Sequence, residues 1–132
     1  MKISRTFWFS MGHTLYNYEG KCANFHGHNY CLIVTVYSDI LNSQSMVMDF
    51  GDLKRIVSDI IDRDYDHRFL IYENDERADG LKALDSSVSI VPFNPTAEVL
   101  AYTIKQQIDA RLINLQVSNL ILWETENSYA EI

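Results

Sequence analysis

From residue 29 to residue 39 apolar and polar positions alternate, and Tyr30, Leu32, Val34 and Val36 all fall on one side of the run. Successive side chains of a strand point to opposite faces, so this period of two predicts a half-buried β-strand. Residues 3–15 are rich in β-branched and aromatic side chains and predict a strand before it. The polar stretch 17–24 between them contains Gly20 and reads as a loop. After a short apolar entry at Met46-Val47-Met48 the period changes. Leu53, Ile56, Val57, Ile60 and Ile61 form one stripe at helical spacing. That helix starts near Asp49 to Asp52 and ends by about Arg63, because Asp62, Asp64 and Asp66 would be unfavourable at the negative end of a helix dipole.

A second helix is predicted from Asn94 as N-cap and Pro95 as first helical residue, with Ala97, Leu100, Ala101, Ile104 and Ile108 on its buried stripe. Residues 117–124 and 128–132 read as closing strands joined near Glu126-Asn127. Between the helices, residues 73–79 form an acidic loop or helical stretch and residues 88–91 look strand-like. The predicted order is β-β-α-α-β-β, an α+β fold. No repeat, low-complexity tract or linker divides it, so residues 1–132 are expected to form one domain.

With 132 residues, of which 47% are hydrophobic, one domain can bury roughly 65 to 70% of its unfolded surface. No apolar run reaches secretory or transmembrane length, which predicts a soluble, cytoplasmic protein with no membrane partner. Cys22 and Cys31 cannot make a disulfide framework and are expected to be thiols in a reducing compartment. A net charge of −7 argues against non-specific nucleic-acid binding, which needs clustered Lys and Arg. A phosphorylated ligand would have to find a local basic patch.

The chemistry-bearing residues cluster. His26 and His28, two apart on a strand, present both imidazoles on one face, and Gly27 between them permits close approach to the backbone. His13 from the preceding strand could complete a three-histidine site with one coordination position open, as catalytic zinc requires. The same residues are compatible with a strand-entry turn and a hydrogen-bonded core histidine, and spacing alone leaves both readings open. Cys22, beside Lys21 in the polar loop, is either a reactive thiol or a small packing residue. Cys31, in mid-strand, fits the packing role. Asp66-His67 is either a carboxylate-oriented proton-transfer pair or a solvated turn. Glu124 ends the apolar run Leu120-Ile121-Leu122-Trp123. It could be a half-buried carboxylate that accepts two N–H groups from a heterocycle edge, or a strand-end glutamate in water.

Taken in order, these residues resemble the 6-pyruvoyl-tetrahydropterin synthase superfamily over nearly the whole chain. The motifs are Cys22 and His26-Gly27-His28-Asn29-Tyr30; Met48-Asp49-Phe50 with Leu53-Lys54; Asp66-His67; Pro95-Thr96-Ala97-Glu98; and Glu124-Thr125. The three-residue gap between Cys22 and His26, and the ending from Glu124 to Glu131, are most similar to the bacterial branch, the 6-carboxy-5,6,7,8-tetrahydropterin synthases of queuosine synthesis. The resemblance implies a tunnelling fold, a four-stranded antiparallel sheet with two helices on one face. It implies assembly as a homohexamer, two trimers paired, with active sites between subunits. By position it implies Zn2+ on His13, His26 and His28; Cys22 as general base; Asp66 and His67 in proton transfer; and Glu124 and Thr96 at the pterin. The implied substrate is 7,8-dihydroneopterin triphosphate, and the implied product is 6-carboxy-tetrahydropterin or, in the sister activity, 6-pyruvoyl-tetrahydropterin. A pterin- or purine-binding protein without turnover is the non-enzymatic alternative. Residues 72–91 exceed the most compact members and are expected at a surface or interface. Lys21, Lys54 and Arg68 are the candidate triphosphate cations.

Overall fold

The computed structural model describes residues 1–132. The elements are β1 (Lys2–His13), β2 (His26–Tyr37), α1 (Phe50–Asp64), β3 (Phe69–Tyr72), α2 (Ala78–Leu84), β4 (Val88–Val91), α3 (Ala97–Asp109), β5 (Gln116–Thr125) and β6 (Ser128–Glu131). One six-stranded sheet has the order β4-β3-β1-β2-β5-β6. β1, β2, β5 and β6 pair antiparallel, whereas β3 joins β1, and β4 joins β3, in parallel.

The core lies on one face of the sheet. Phe7, Phe9 and Met11 of β1, Tyr30, Leu32, Val34 and Val36 of β2, and Val117, Leu120 and Leu122 of β5 are buried there. Against them pack Leu53, Ile56, Val57, Ile60 and Ile61 of α1 and Leu100, Ala101, Ile104 and Ile108 of α3. The alternation in β2 and the two helical stripes therefore did what their periods required. Asp49 caps α1, its Oδ1 accepting from the backbone N–H groups of Gly51 and Asp52.

Three expectations are corrected. The sheet has six strands and not four, and it carries three helices and not two. The additional β3, α2 and β4 lie within or beside residues 72–91. β3 is the continuous apolar run Phe69-Leu70-Ile71-Tyr72, the pattern of a parallel strand covered on both sides, which has no period to read. The cap of α3 is Thr96, whose Oγ1 accepts from the Val99 N–H at 3.4 Å. Asn94 instead clasps the backbone of Tyr16: Tyr16 N–H donates to Asn94 Oδ1 at 2.9 Å, and Asn94 Nδ2 donates to the Tyr16 carbonyl at 3.2 Å. Pro95 thus precedes the cap, where a missing N–H also costs nothing.

The antiparallel register places His13 opposite His26, Gly12 opposite Gly27 and Met11 opposite His28. A Cβ on Gly27 would come within 2.9 Å of the Met11 carbonyl oxygen. The backbone approach that this glycine permits is therefore made by β1 itself.

Ile104 is fully buried between α3 and the sheet, whereas Ile113 is 84% exposed. Ile104→Ala is expected to cost about 2–5 kcal/mol of unfolding free energy in urea. Ile113→Ala should stay within about 0.5 kcal/mol.

Candidate metal centre

Parity along β1 and β2 puts His13, His26 and His28 on the same face as Phe9 and Tyr30, at the end of the sheet where the core opens. Their ring centroids are 4.5, 5.2 and 5.0 Å apart. One ligand nitrogen from each lies within 4.8 Å of the others. His13 Nδ1 is 2.8 Å from the Pro95 carbonyl, and His26 Nδ1 is 2.8 Å from the Asn24 carbonyl. A carbonyl can only accept, so both rings carry their proton on Nδ1 and turn an Nε2 lone pair toward the cluster.

All three Nε2 atoms are buried and have no hydrogen-bond partner. An unpaired buried polar nitrogen costs about 1–3 kcal/mol, and three converging on one point call for a ligand to satisfy them. Burial pushes the pKa of His13 and His28 down, outweighing for His13 the opposing hydrogen bond to the Pro95 carbonyl and the Glu124 charge, and for His28 the Glu124 charge. Neutral imidazoles with aimed lone pairs are what a metal ion needs. The residues present therefore fit a divalent ion held by three imidazoles.

Glu124, near the end of β5, reaches the same point from the other side of β2. Its Oε1 is 3.6 Å from His28 Nε2, and Tyr30 donates its hydroxyl to Oε2 at 3.4 Å. Tyr30 is fully buried and stacked on Phe9 at 5.2 Å, and its phenol is pushed well up by burial and then by the Glu124 charge. It stays a neutral donor. Glu124 and Thr96 line one cleft of about 400 Å³, together with Tyr16, Asn94 and Tyr129. The Thr96 N–H is already spent on the Asn94 carbonyl at 2.8 Å, so its hydroxyl proton is the group left for a ligand.

Cys22 sits half-buried in a single 3₁₀ turn, Lys21–Ala23, with its carbonyl accepting from the Leu15 N–H at 2.9 Å. That bond and the Thr14 hydroxyl's bond to the Ala23 carbonyl tie the Cys22 turn to the chain just after His13, at the end of β1. Cys31 is across β2 on the opposite face, paired with Trp123, and burial raises its thiol pKa. It fits the packing role.

Asp66 and His67 form a pair, with His67 Nδ1 2.9 Å from Asp66 Oδ2. Ser10 N–H donates to Asp66 Oδ1 at 3.0 Å, and the His67 N–H donates to the Ser10 carbonyl at 2.7 Å. Burial raises the Asp66 carboxyl, but the Ser10 N–H and His67 outweigh it and the net shift is downward. His67 is held in the left-handed region at φ 55° with its ring 83% exposed. It borders a shallow cleft with Ser10, Asn29 and Arg68, whose lining also takes in Met11 and His28. Ser10 alternates with Phe9 and Met11, so this cleft is on the sheet face away from the imidazole cluster. Within one chain the structure brings together His13, His26, His28 and Glu124, sets Thr96 on the same cleft wall as Glu124, and ties the Cys22 turn to the end of β1, while Asp66-His67 borders the cleft on the other sheet face.

Five contributors were missed by sequence reasoning: Tyr30, the Pro95 and Asn24 carbonyls, and Arg77 with Asp75. Tyr30 was read as core, which it also is. Backbone carbonyls leave no signal in side-chain identity. Arg77 donates Nη2 to Asp75 Oδ2 at 2.6 Å, and Asp75 is 5% exposed.

Fold and site together define a class, an α+β protein with a three-histidine cluster able to hold a metal at one end of its sheet. Residues 2–132 match the 6-pyruvoyl tetrahydropterin synthase family, and the chain belongs to it. It is 40% identical to the 6-carboxy-5,6,7,8-tetrahydropterin synthase of Haemophilus influenzae, over 98% of this chain and 96% of that protein. Among solved structures, an uncharacterised Wolinella succinogenes protein matches with TM-score 0.86 at 24% identity, covering 100% of this chain and 97% of that one. The Caenorhabditis elegans 6-pyruvoyl tetrahydropterin synthase matches with TM-score 0.76 at 23% identity, covering 100% and 94%. These two likenesses carry the fold alone. No helix is long and apolar enough to cross a membrane.

The Arg77 guanidinium holds the Asp75 carboxyl below the ordinary aspartate range. A depressed folded value contributes stability that is complete above the unfolded value of about 3.9 and is lost as pH falls through the folded one. The stability gap between wild type and Asp75→Asn should therefore be widest above about pH 5 and close toward about pH 2 in urea unfolding. A gap independent of pH would assign the effect to shape and not to charge.

Proposed function

We propose that this chain is a single-domain, zinc-dependent lyase that converts 7,8-dihydroneopterin triphosphate to 6-carboxy-5,6,7,8-tetrahydropterin, releasing acetaldehyde and triphosphate. One water is consumed in the atom balance. The observation that carries this reading is the convergence of three buried, unpartnered Nε2 atoms beside the Glu124 carboxylate. It is supported by the name and full-length coverage of the Haemophilus relative. The reaction would serve 7-deazaguanine and queuosine synthesis in the cytoplasm.

His13, His26 and His28 are the ligand set. Three neutral imidazoles, with nitrogen donors of intermediate softness, suit zinc better than magnesium or calcium. When bound, zinc supplies Lewis-acid polarisation of the substrate's side-chain oxygens. Glu124 accepts two N–H groups of the pterin edge as a bidentate carboxylate, steadied by the Tyr30 hydroxyl. The Thr96 hydroxyl, on the same cleft wall, adds a donor to the pterin. Cys22 takes the C1′ proton of the side chain as thiolate, and Asp66-His67 relays protons as the triphosphate departs.

Asp66-His67 faces away from the imidazoles of its own chain, so in this reading it serves the site of a neighbouring copy. A homohexamer of two trimers with sites between subunits meets that requirement. Arg68, beside His67, would then bring its charge to the triphosphate of the adjacent site.

Incubating the zinc-loaded protein anaerobically with dihydroneopterin triphosphate should yield 6-carboxy-tetrahydropterin and acetaldehyde by mass spectrometry. Appearance of 6-pyruvoyl-tetrahydropterin would move the chain to the sister reaction, and binding without conversion would make it a pterin-binding protein. Cys22→Ala should lower turnover by roughly 100- to 10,000-fold, the range for loss of a positioned base, while zinc content is retained. Unchanged turnover would remove Cys22 from the chemistry.

A further inference from the structure

Every contact that Arg77 makes toward the site falls one residue away from a site residue. The turn between β3 and α2 carries it, and Asp75, with its side chain 4% exposed, fixes it there. Arg77 Nε donates to Asp75 Oδ1 at 2.9 Å, Nη2 donates to Oδ2 at 2.6 Å, and the Arg77 backbone N–H donates to Oδ1 at 3.0 Å. From this anchorage the guanidinium crosses to the β1–β2 loop. Nη1 donates to the Ala23 carbonyl at 3.1 Å, and Nη2 donates to Thr14 Oγ1 at 3.1 Å. Thr14, fully buried, in turn donates its hydroxyl to the Ala23 carbonyl at 2.9 Å. The guanidinium also lies 4.9 Å from the centroid of the Phe25 ring, which stands edge-on to Phe69 of β3 at 5.3 Å.

Thr14 follows His13, Ala23 follows Cys22, and Phe25 precedes His26. Inside the loop, Leu15 N–H bonds the Cys22 carbonyl, Ala23 N–H bonds Gly20 and Asn24 N–H bonds Lys21, which shapes the Cys22 turn. Asn94 clasps the loop at Tyr16 and His26 Nδ1 holds the Asn24 carbonyl, and the Arg77 fork adds the tie at Ala23, next to Cys22. We propose that Arg77, fixed by Asp75, is a positioning residue that clamps Thr14, Ala23 and Phe25 and so sets the geometry of Cys22 and the three-histidine centre. The proposal rests on the site reading given above. It requires arginine, because one group must serve a carboxylate, a carbonyl, a hydroxyl and an aromatic face at once, and a planar fork does this where an ammonium point charge cannot. It also gives residues 72–91 a task inside their own subunit.

Arg77→Met and Arg77→Lys test the clamp, with Arg111→Met as control. Arg111 makes a similar ion pair, to Asp59 at 3.0 Å, on the helical side of the fold, and touches no site residue. The readouts are the Co2+ dissociation constant from absorption titration, deuterium uptake by residues 14–25, and the unfolding midpoint. Both Arg77 variants should weaken Co2+ binding by about tenfold or more, the scale of partners that orient metal ligands, and should speed exchange in 14–25. Arg111→Met should change neither. The clamp is overturned if Arg77→Met binds Co2+ and exchanges like wild type, or if Arg111→Met at an equal loss of midpoint shows the same changes. None of these readouts needs turnover, so a wild-type protein that binds Co2+ yet leaves dihydroneopterin triphosphate unconverted defeats the proposed reaction and not the clamp.

Discussion

Pairing His13 with His26 and Met11 with His28 across β1 and β2 decides both where the core lies and where the imidazoles meet. Because the side-chain period of a strand is two, a slip of β2 by one residue would send Tyr30, Leu32, His26 and His28 to the outer face and leave Phe9 and His13 behind. The apolar residues hold the register, since fully burying Tyr30, Leu32, Val34 and Val36 is possible in one alignment only. The histidines inherit it. A polar cluster of this kind does not stabilise the sheet; it is imposed on the sheet by the hydrophobic pattern beside it.

Once aligned, the imidazoles are tuned by backbone and burial. The Pro95 and Asn24 carbonyls take the Nδ1 protons of His13 and His26, which leaves Nε2 as the free nitrogen on each ring. Burial keeps His13 and His28 neutral. The Pro95 carbonyl is just ahead of α3, so packing of that helix on the sheet also orients His13. Helix position and ligand geometry are linked through one hydrogen bond. Glu124 enters from β5 by the same pleat, one alternate position beyond Leu122, and Tyr30 joins it to the core through its stack on Phe9.

The β3-α2-β4 segment extends the sheet past β1 on the edge where the histidine end lies. Its parallel strands cover what would otherwise be an open edge. Asp75 and Arg77 come from this segment, so the same segment that completes the sheet reaches the loop bearing Cys22.

Sequence alone determined the elements whose chemistry is periodic. The alternation in β2, the stripes of α1 and α3, the closing pair β5 and β6, and the α+β class were all legible, because burial of one face enforces a repeat that can be counted. The meeting of His13, His26 and His28 was legible as well, since His26-Gly27-His28 is local and His13 falls on a neighbouring strand. Tertiary structure decided what has no repeat and no neighbour in sequence. β3 is a short apolar run without a period, and its parallel partners come from distant parts of the chain. The choice of Thr96 over Asn94 as cap turned on a clasp between Asn94 and Tyr16, 78 residues apart. The separation of Asp66-His67 from the imidazoles followed from the face to which Ser10 belongs, and Arg77 reaches Ala23 across 54 residues. Local patterns record which face of an element is dry; only the folded chain determines which backbone groups and charges then meet.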